Sequence, residues 1–189
     1  MLKVRDTDGA TFVEKETFLA FKQLSEFMQK KYGIALFLTS AGRTIQTQQK
    51  VLNDFIAEMG EEEALKTVAL PGTSEHHTGL ALDVKPEIAH STPVQAVIDK
   101  LPLPEKIAYL KQPTREQKAE MYALLHHNLA KFGFIQRYTK EKQDITGYKP
   151  EPWHIRFVGK EHAKAIAESG MCLEEYIQSL ELEQNEPGT

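Results

Sequence analysis

Cysteine is nearly missing from this chain: Cys172 stands alone among 189 residues, so no intrachain disulfide and no thiolate metal cluster can form. Any metal would have to be held by His, Asp or Glu. Long apolar runs are missing too, and none approaches the ~20 residues of a membrane-spanning helix. Positive charge is not in surplus: 23 Lys and Arg against 27 Asp and Glu leave a net charge of −4, with no basic run. That balance removes the electrostatic footprint of a nucleic-acid binder. The opening residues MLKVRDTDGATFVEKE are charged where a secretory signal would be apolar. The chain as given is therefore expected in the cytoplasm, or in the periplasm or at the cell surface if an export segment has been removed. No internal repeat occurs. What remains is ordinary globular composition, 41% hydrophobic and 26% charged, which suits one domain over residues 1–184 with a polar tail at 185–189.

The hydrophobic spacing predicts a helix over residues 15–32, with Phe18, Phe21, Leu24 and Met28 on one side and Gly33 closing it. Residues 34–40 (IALFLTS) read as a buried strand, 44–58 as a helix, and 61–70 as a further turn or two. Residues 79–84 (GLALDV) are a strand candidate. Residues 85–114, with five of the nine prolines, read as a loop with a short helix around 94–101. A Thr114/Gln117 capping box opens a helix that runs to Gly133. Strands over 134–138 and 153–158 are separated by a polar turn region, and two helices near 160–168 and 172–184 end the chain. Few strands and many flanking helices imply an α+β fold with a small, mainly antiparallel sheet.

Seven histidines occur, at 76, 77, 90, 126, 127, 154 and 162, and none belongs to a His-Glu-x-x-His motif. His126 and His127 are neighbours on a helix and point about 100° apart, so neither is expected to be a ligand. His90 and His162 read as surface residues. His76 and Asp83, within PGTSEHHTGLALD, would point to opposite faces of a continuous strand; they can meet at one metal only if the chain turns at Thr78-Gly79. Asp83 and Ala81 would then share a face opposite Leu80, Leu82 and Val84. A solvent-facing Asp on an edge strand is an equally good reading of this segment alone. The segment EPWHIRFV (151–158) adds an imidazole: Trp153, Ile155 and Phe157 form an apolar face, while His154 could meet Asp83 across the sheet. Two histidines and one aspartate leave a fourth position for water, the arrangement of catalytic rather than structural zinc. Glu151, near His154 but outside the ligand set, is the natural general base.

In order, SAGRTIQTQ (40–48), PGTSEHHTGLALD (71–83) and GFIQRYTKEKQDITGYKPEPWHIRFVG (133–159) resemble the signature blocks of zinc D-alanyl-D-alanine carboxypeptidases. These are peptidoglycan-trimming enzymes of the LAS-type metallopeptidase fold, related to the vancomycin-resistance carboxypeptidases. The resemblance implies one zinc per chain, held by His76, Asp83 and His154, with Glu151 as catalytic base. It implies Arg43 as stabiliser of the oxyanion, and Ser74, Gln48, Tyr138 and Arg137 as contacts to a peptidoglycan stem peptide or its precursor. For Arg137 a salt bridge supporting the sheet is at least as good a reading, and for Arg156 a strand-face ion pair is the better one. His77 falls at a variable position and is expected to be a bystander. Where many relatives carry Ser-Gly-Tyr-Arg, this chain has Ser40-Ala41-Gly42-Arg43, which removes an aromatic; Tyr122 stands where a helix often carries Trp. Alternative readings are an L,D-carboxypeptidase, a dual D,D-dipeptidase/carboxypeptidase of the same fold and, more distantly, a non-catalytic zinc-binding module. A monomer is expected.

Overall fold

A computed structural model describes residues 1–6, 9–88 and 113–185. Strands β1 (Leu2–Asp6) and β2 (Gly9–Val13) pair as an antiparallel hairpin, an element the sequence reading missed. Helix α1 (Lys15–Tyr32) follows. The Glu14 carboxylate accepts from the backbone N–H groups of Glu16 and Thr17, satisfying two of the free donors at its start. Gly33, at φ 66°, closes the helix in a left-handed conformation that costs glycine nothing. Then come β3 (Ile34–Ser40), α2 (Ile45–Met59), α3 (Glu61–Leu65), a 3-10 turn at Glu75–Thr78 and β4 (Ala81–Ile88).

Helix α4 (Arg115–Asn128) opens on the expected capping box. A 3-10 turn (Leu129–Phe132) carries it to Gly133, and β5 (Phe134–Tyr138) follows. Short α5 (Gln143–Thr146), β6 (Glu151–Phe157), α6 (Lys160–Ser169) and α7 (Leu173–Asn185) complete the described chain. The four-stranded sheet has the order β3-β4-β6-β5 and every pairing is antiparallel, which bears out the α+β expectation. The main core lies where α1 and α4 cover one face of this sheet. Leu24, Met28, Leu82, Val84, Leu125, Leu129, Phe134 and Ile155 form one cluster there, each close to fully buried.

Two details correct the sequence reading. Strand β4 does not stop at residue 84 but runs on through Pro86 to Ile88. Its pairing with β6 covers only Ala81–Asp83, so beyond that point β4 is bonded on the β3 side alone and the missing proline N–H is not needed. Strand β6 begins at Glu151, two residues early. The expected short helix at 94–101, His90 and the 186–189 end of the tail lie outside the described residues.

Candidate metal centre and active-site cleft

Asp83 is on an inner strand, not an edge, and its cross-strand partner is His154. The reading of Asp83 as a solvent-facing edge residue is thereby excluded; it is 8% exposed. Directly opposed residues bring their side chains within reach on one face of a sheet, and here Asp83 Oδ1 lies 3.2 Å from His154 Nδ1. His76 arrives from the 3-10 turn. Ser74 caps that turn through the His76 N–H, and Gly79, at φ 70°, reverses the chain before β4. This reversal lets residues seven apart converge: His76 Nε2 is 3.4 Å from Asp83 Oδ2. The two imidazoles meet edge to face, with centroids 5.0 Å apart.

His76, Asp83 and His154 each offer one ligand atom, and these atoms lie within 4.8 Å of one another. The donor set suits a divalent cation of the zinc type. Asp83 Oδ1 is buried with no hydrogen bond reaching it among the described residues, an expensive state for a carboxylate oxygen without a cation. The far nitrogen of each ring faces a protein acceptor: His76 Nδ1 meets the Ala41 carbonyl at 2.5 Å and His154 Nε2 meets Glu75 Oε2 at 3.4 Å. Each arrangement leaves the other nitrogen to serve as ligand. Burial pushes the Asp83 carboxyl up, but His76 and His154 outweigh it and hold the group far below the usual range. Burial pushes His154 down, while Asp83 and Glu75 raise it to about 9. The cluster is therefore built to hold positive charge.

Glu151 Oε2 is 3.5 Å from His154 Nδ1, outside the candidate ligand trio and beside it. Burial pushes its carboxyl up to about 7, opposed by His154 and reinforced by Asp83. The strand register explains the approach. Gln136 pairs with Ile155 but Tyr138 with Glu151, so β6 carries extra residues in a bulge. The bulge brings Glu151 and His154 to one side and swings Trp153 out to 41% exposure, breaking the expected Trp153-Ile155-Phe157 face. His126 Nε2 donates to the Pro152 carbonyl in this bulge at 2.8 Å. It thereby braces the segment that carries Glu151.

Arg43 enters from the opposite wall. Its Nη2 lies 2.9 Å from Asp83 Oδ2 and 3.3 Å from His76 Nε2, its Nε donates to Ser40 Oγ, and its Nη1 donates to Gln48 Oε1. Gln48 is 1% exposed and its amide nitrogen donates to the Ala69 carbonyl, so its side chain holds Arg43 in place. His77, taken as a bystander, has a job of its own. Gly72 N–H donates to its Nε2, which leaves Nδ1–H to donate to the Arg43 carbonyl at 2.7 Å. Arg137 sends Nε to Glu75 Oε1 and both terminal nitrogens to Glu174, so three of its N–H donors already serve carboxylates. This is the salt-bridge alternative of the sequence reading. Arg156 lies 3.8 Å from Glu75 Oε2 and donates to Thr78 Oγ1.

Arg43, Gln48, Ser74, His76, Asp83, Arg137, Tyr138, Glu151 and His154 all line one cleft of about 410 Å³. Val51, Phe55, Val68, Tyr148 and Trp153 supply its apolar wall. Sequence reasoning missed Glu75, which contacts His154, Arg137 and Arg156 together. A glutamate between a capping serine and a ligand histidine was the available signal. It also missed Tyr148, whose ring packs 4.8 Å from that of Tyr138.

The model of the VanY family, described as D-alanyl-D-alanine carboxypeptidase, matches residues 10–160. A D-alanyl-D-alanine carboxypeptidase of Enterococcus faecalis is 35% identical over 156 residues, covering 78% of this chain and 49% of that protein. The chain spans about half the length of curated relatives it matches. A Zn(II) complex of the VanY D,D-pentapeptidase from a VanB-type resistance cassette superposes with a TM-score of 0.72 at 30% identity, covering 94% of this chain and 89% of that one. VanYB in complex with D-alanine-D-alanine gives 0.73 at 30% identity over 94% and 88%. The LD-carboxypeptidase LdcB gives 0.67 at 31% identity over 94% and 72%.

Proposed function

The chain belongs to the D-alanyl-D-alanine carboxypeptidase family, and from that premise we propose that it removes the terminal D-alanine from peptidoglycan stem peptides, using one zinc ion held by His76, Asp83 and His154. The observation that carries the reading is the convergence of those three ligand atoms beside a carboxylate, Glu151, that is not one of them. A catalytic zinc supplies a Lewis acid and lowers the pKa of water towards ~7.

The chain's own residues do the rest. Glu151 accepts a proton from the attacking water and returns it to the departing amine as the C–N bond breaks. The water oxygen ends in the new carboxylate of the penultimate residue, and free D-alanine leaves. A carboxylate that lies beside the three candidate ligands without being one of them is placed to take and return that proton. Arg43, fixed by Ser40 and Gln48, directs its guanidinium towards the oxyanion that develops, a contribution of several kcal/mol in comparable sites. Ser74, Gln48 and Tyr138 border the peptide, and Val51, Phe55, Tyr148 and Trp153 keep bulk water away from it. Arg137 borders the same cleft with its charge offset by Glu75 and Glu174.

A second reading is an L,D-carboxypeptidase acting on the tetrapeptide stem, favoured by the likeness to LdcB. The Glu151–Arg43 pair in one cleft argues against a non-catalytic module. The protein acts as a monomer, on precursor peptides inside the membrane or on the assembled wall outside it. Zinc-loaded protein is incubated in parallel with D-alanyl-D-alanine, a pentapeptide stem and a tetrapeptide stem, and released D-alanine is measured. Release from the pentapeptide is expected. Release from the tetrapeptide alone selects the second reading, and release from none of them overturns both.

A further inference from the structure

The two ligand histidines use different nitrogens, and only one is oriented by a neutral group. His76 turns Nδ1 to a backbone carbonyl and offers Nε2, whereas His154 turns Nε2 to the Glu75 carboxylate and offers Nδ1. Glu75 does not stand alone. Its other oxygen accepts from Arg137 Nε at 2.8 Å, and Arg137 is gripped on its far side by both oxygens of Glu174, in the first turn of α7. A carboxylate-guanidinium-carboxylate chain therefore runs from the last helix, past β5, to the back of a metal ligand. Arg137 is 8% exposed, so the chain is shielded from solvent through its middle.

We propose that Glu75 is a positioning residue for His154, that Arg137 and Glu174 hold it in place, and that helix α7 thereby sets how tightly the centre binds its metal. The proposal rests on reading His76, Asp83 and His154 as the metal ligands. Glu75 accepts the Nε2 proton of His154, which fixes the tautomer and the ring angle so that the Nδ1 lone pair points at Asp83 and Glu151. An imidazole backed by a carboxylate is a stronger ligand than one backed by a neutral acceptor, and removing such a partner typically weakens metal binding 10–100-fold. The bidentate grip of Glu174 matters because a planar guanidinium locked at both ends cannot swing away from Glu75. Arg137 on this account acts at the back of the metal ligand, and its place in the cleft wall is a consequence of that role.

Metal-stripped protein is titrated with zinc against a chromophoric chelator, for the wild type, Glu75→Gln, Glu174→Gln and Glu175→Gln. Glu75→Gln is expected to bind zinc 10–100-fold more weakly. Glu174→Gln is expected to weaken binding by at least ~2-fold, in the range found for substitutions that touch neither partner of a coupled pair. Glu175→Gln, next to Glu174 but bonded to Lys142 and to the Cys172 N–H, is expected to match the wild type. The double variant Glu75→Gln/Glu174→Gln is expected to be no weaker than Glu75→Gln alone, because both act through one path. Activity lost in Glu75→Gln returns as zinc is raised, which loss of a merely structural ion pair would not allow. Wild-type affinity in Glu75→Gln, or in Glu174→Gln should the first variant not fold, overturns the proposal and leaves the metal centre standing. A wild type that takes no zinc from the chelator overturns the metal reading and the proposal together.

Discussion

Gly42 is the position where adding one methyl group tests how the N-terminal hairpin is used. A Cβ built there would sit 2.4 Å from two ring carbons of Phe12 and 2.5 Å from the Phe12 carbonyl oxygen. The overlap is about 1 Å against ordinary van der Waals separation. The half-buried Phe12 ring could rotate, but its carbonyl cannot retreat freely, because it accepts the Gly42 N–H at 2.8 Å. Thr11 Oγ1 also donates to the Gly42 carbonyl, so the two segments are stitched on both sides. Two opposing effects decide the sign of Gly42→Ala. Reduced freedom of the unfolded chain favours the variant by ~0.4–1 kcal/mol. Overpacking costs ~1–3 kcal/mol, and loosening one backbone hydrogen bond about 1 kcal/mol more. The steric side wins, with a net loss of about 1–3 kcal/mol. For a domain of this size that lowers the melting temperature by about 2–12 °C. Thermal unfolding by circular dichroism, with zinc content measured in parallel, reads the effect. In a Phe12→Ala background the cost of Gly42→Ala should shrink but not vanish, since the carbonyl contact remains. A melting temperature at or above that of the wild type would refute the reasoning, because then only the unfolded-state term would be acting. Arg43 follows Gly42 directly, so activity should fall with stability while bound zinc is kept.

Three further outcomes are expected. Glu151→Gln should retain zinc and lose ~10²–10⁴ in kcat on the pentapeptide, the usual contribution of a general base; loss of the metal in this variant would make Glu151 a ligand instead. His126→Ala removes the donor to the Pro152 carbonyl, leaving a part-buried acceptor unpaired at a cost of about 1–3 kcal/mol. Thermal unfolding should register that cost and stem-peptide assays a lower kcat, and an unchanged kcat would deny that His126 braces the bulge. Glu175 is held at about 2, well below the usual glutamate range, by the Lys142 ammonium and the Cys172 N–H. A depressed carboxylate contributes stability above pH ~4.5 that is lost as pH falls towards 2, so the urea midpoint of the wild type should drop faster over that window than that of Glu175→Gln. The side chain is about a third exposed, so ~1 M salt should narrow the difference; equal slopes at low salt would contradict the assignment.

The order of helices and strands was readable because each carries its own signal within a few residues. The Thr114/Gln117 box, Gly33 and Gly133 mark ends that the backbone honours. The hairpin of β1 and β2 escapes the sequence reading because each strand is only five residues long, with too few apolar positions to set a period. Strand β4 was cut short because a proline speaks against a central strand, and sequence does not reveal that pairing on its β6 side stops at Asp83.

The convergence of the candidate ligands was readable for a different reason: histidine and aspartate announce their chemistry, and a turn between them is written in Thr78-Gly79. Their supporting groups announce nothing. Glu75 and Arg137 are 62 positions apart and His126 and Pro152 are 26 apart, and both contacts depend on registers that only the folded sheet sets. The same registers decide which imidazole nitrogen faces the centre. His76, on a turn, finds the Ala41 carbonyl beside its Nδ1, while His154, on a bulged strand opposite Asp83, can reach Glu75 only through Nε2. Two residues of one type thus reach the same centre with different atoms, one backed by a neutral carbonyl and the other by a carboxylate anchored to a distant helix. It follows that the two should respond unequally to change elsewhere: a substitution at Glu174 in α7 should reach the centre through Arg137, Glu75 and His154, while substitutions in the hairpin should reach it through Ala41 and His76.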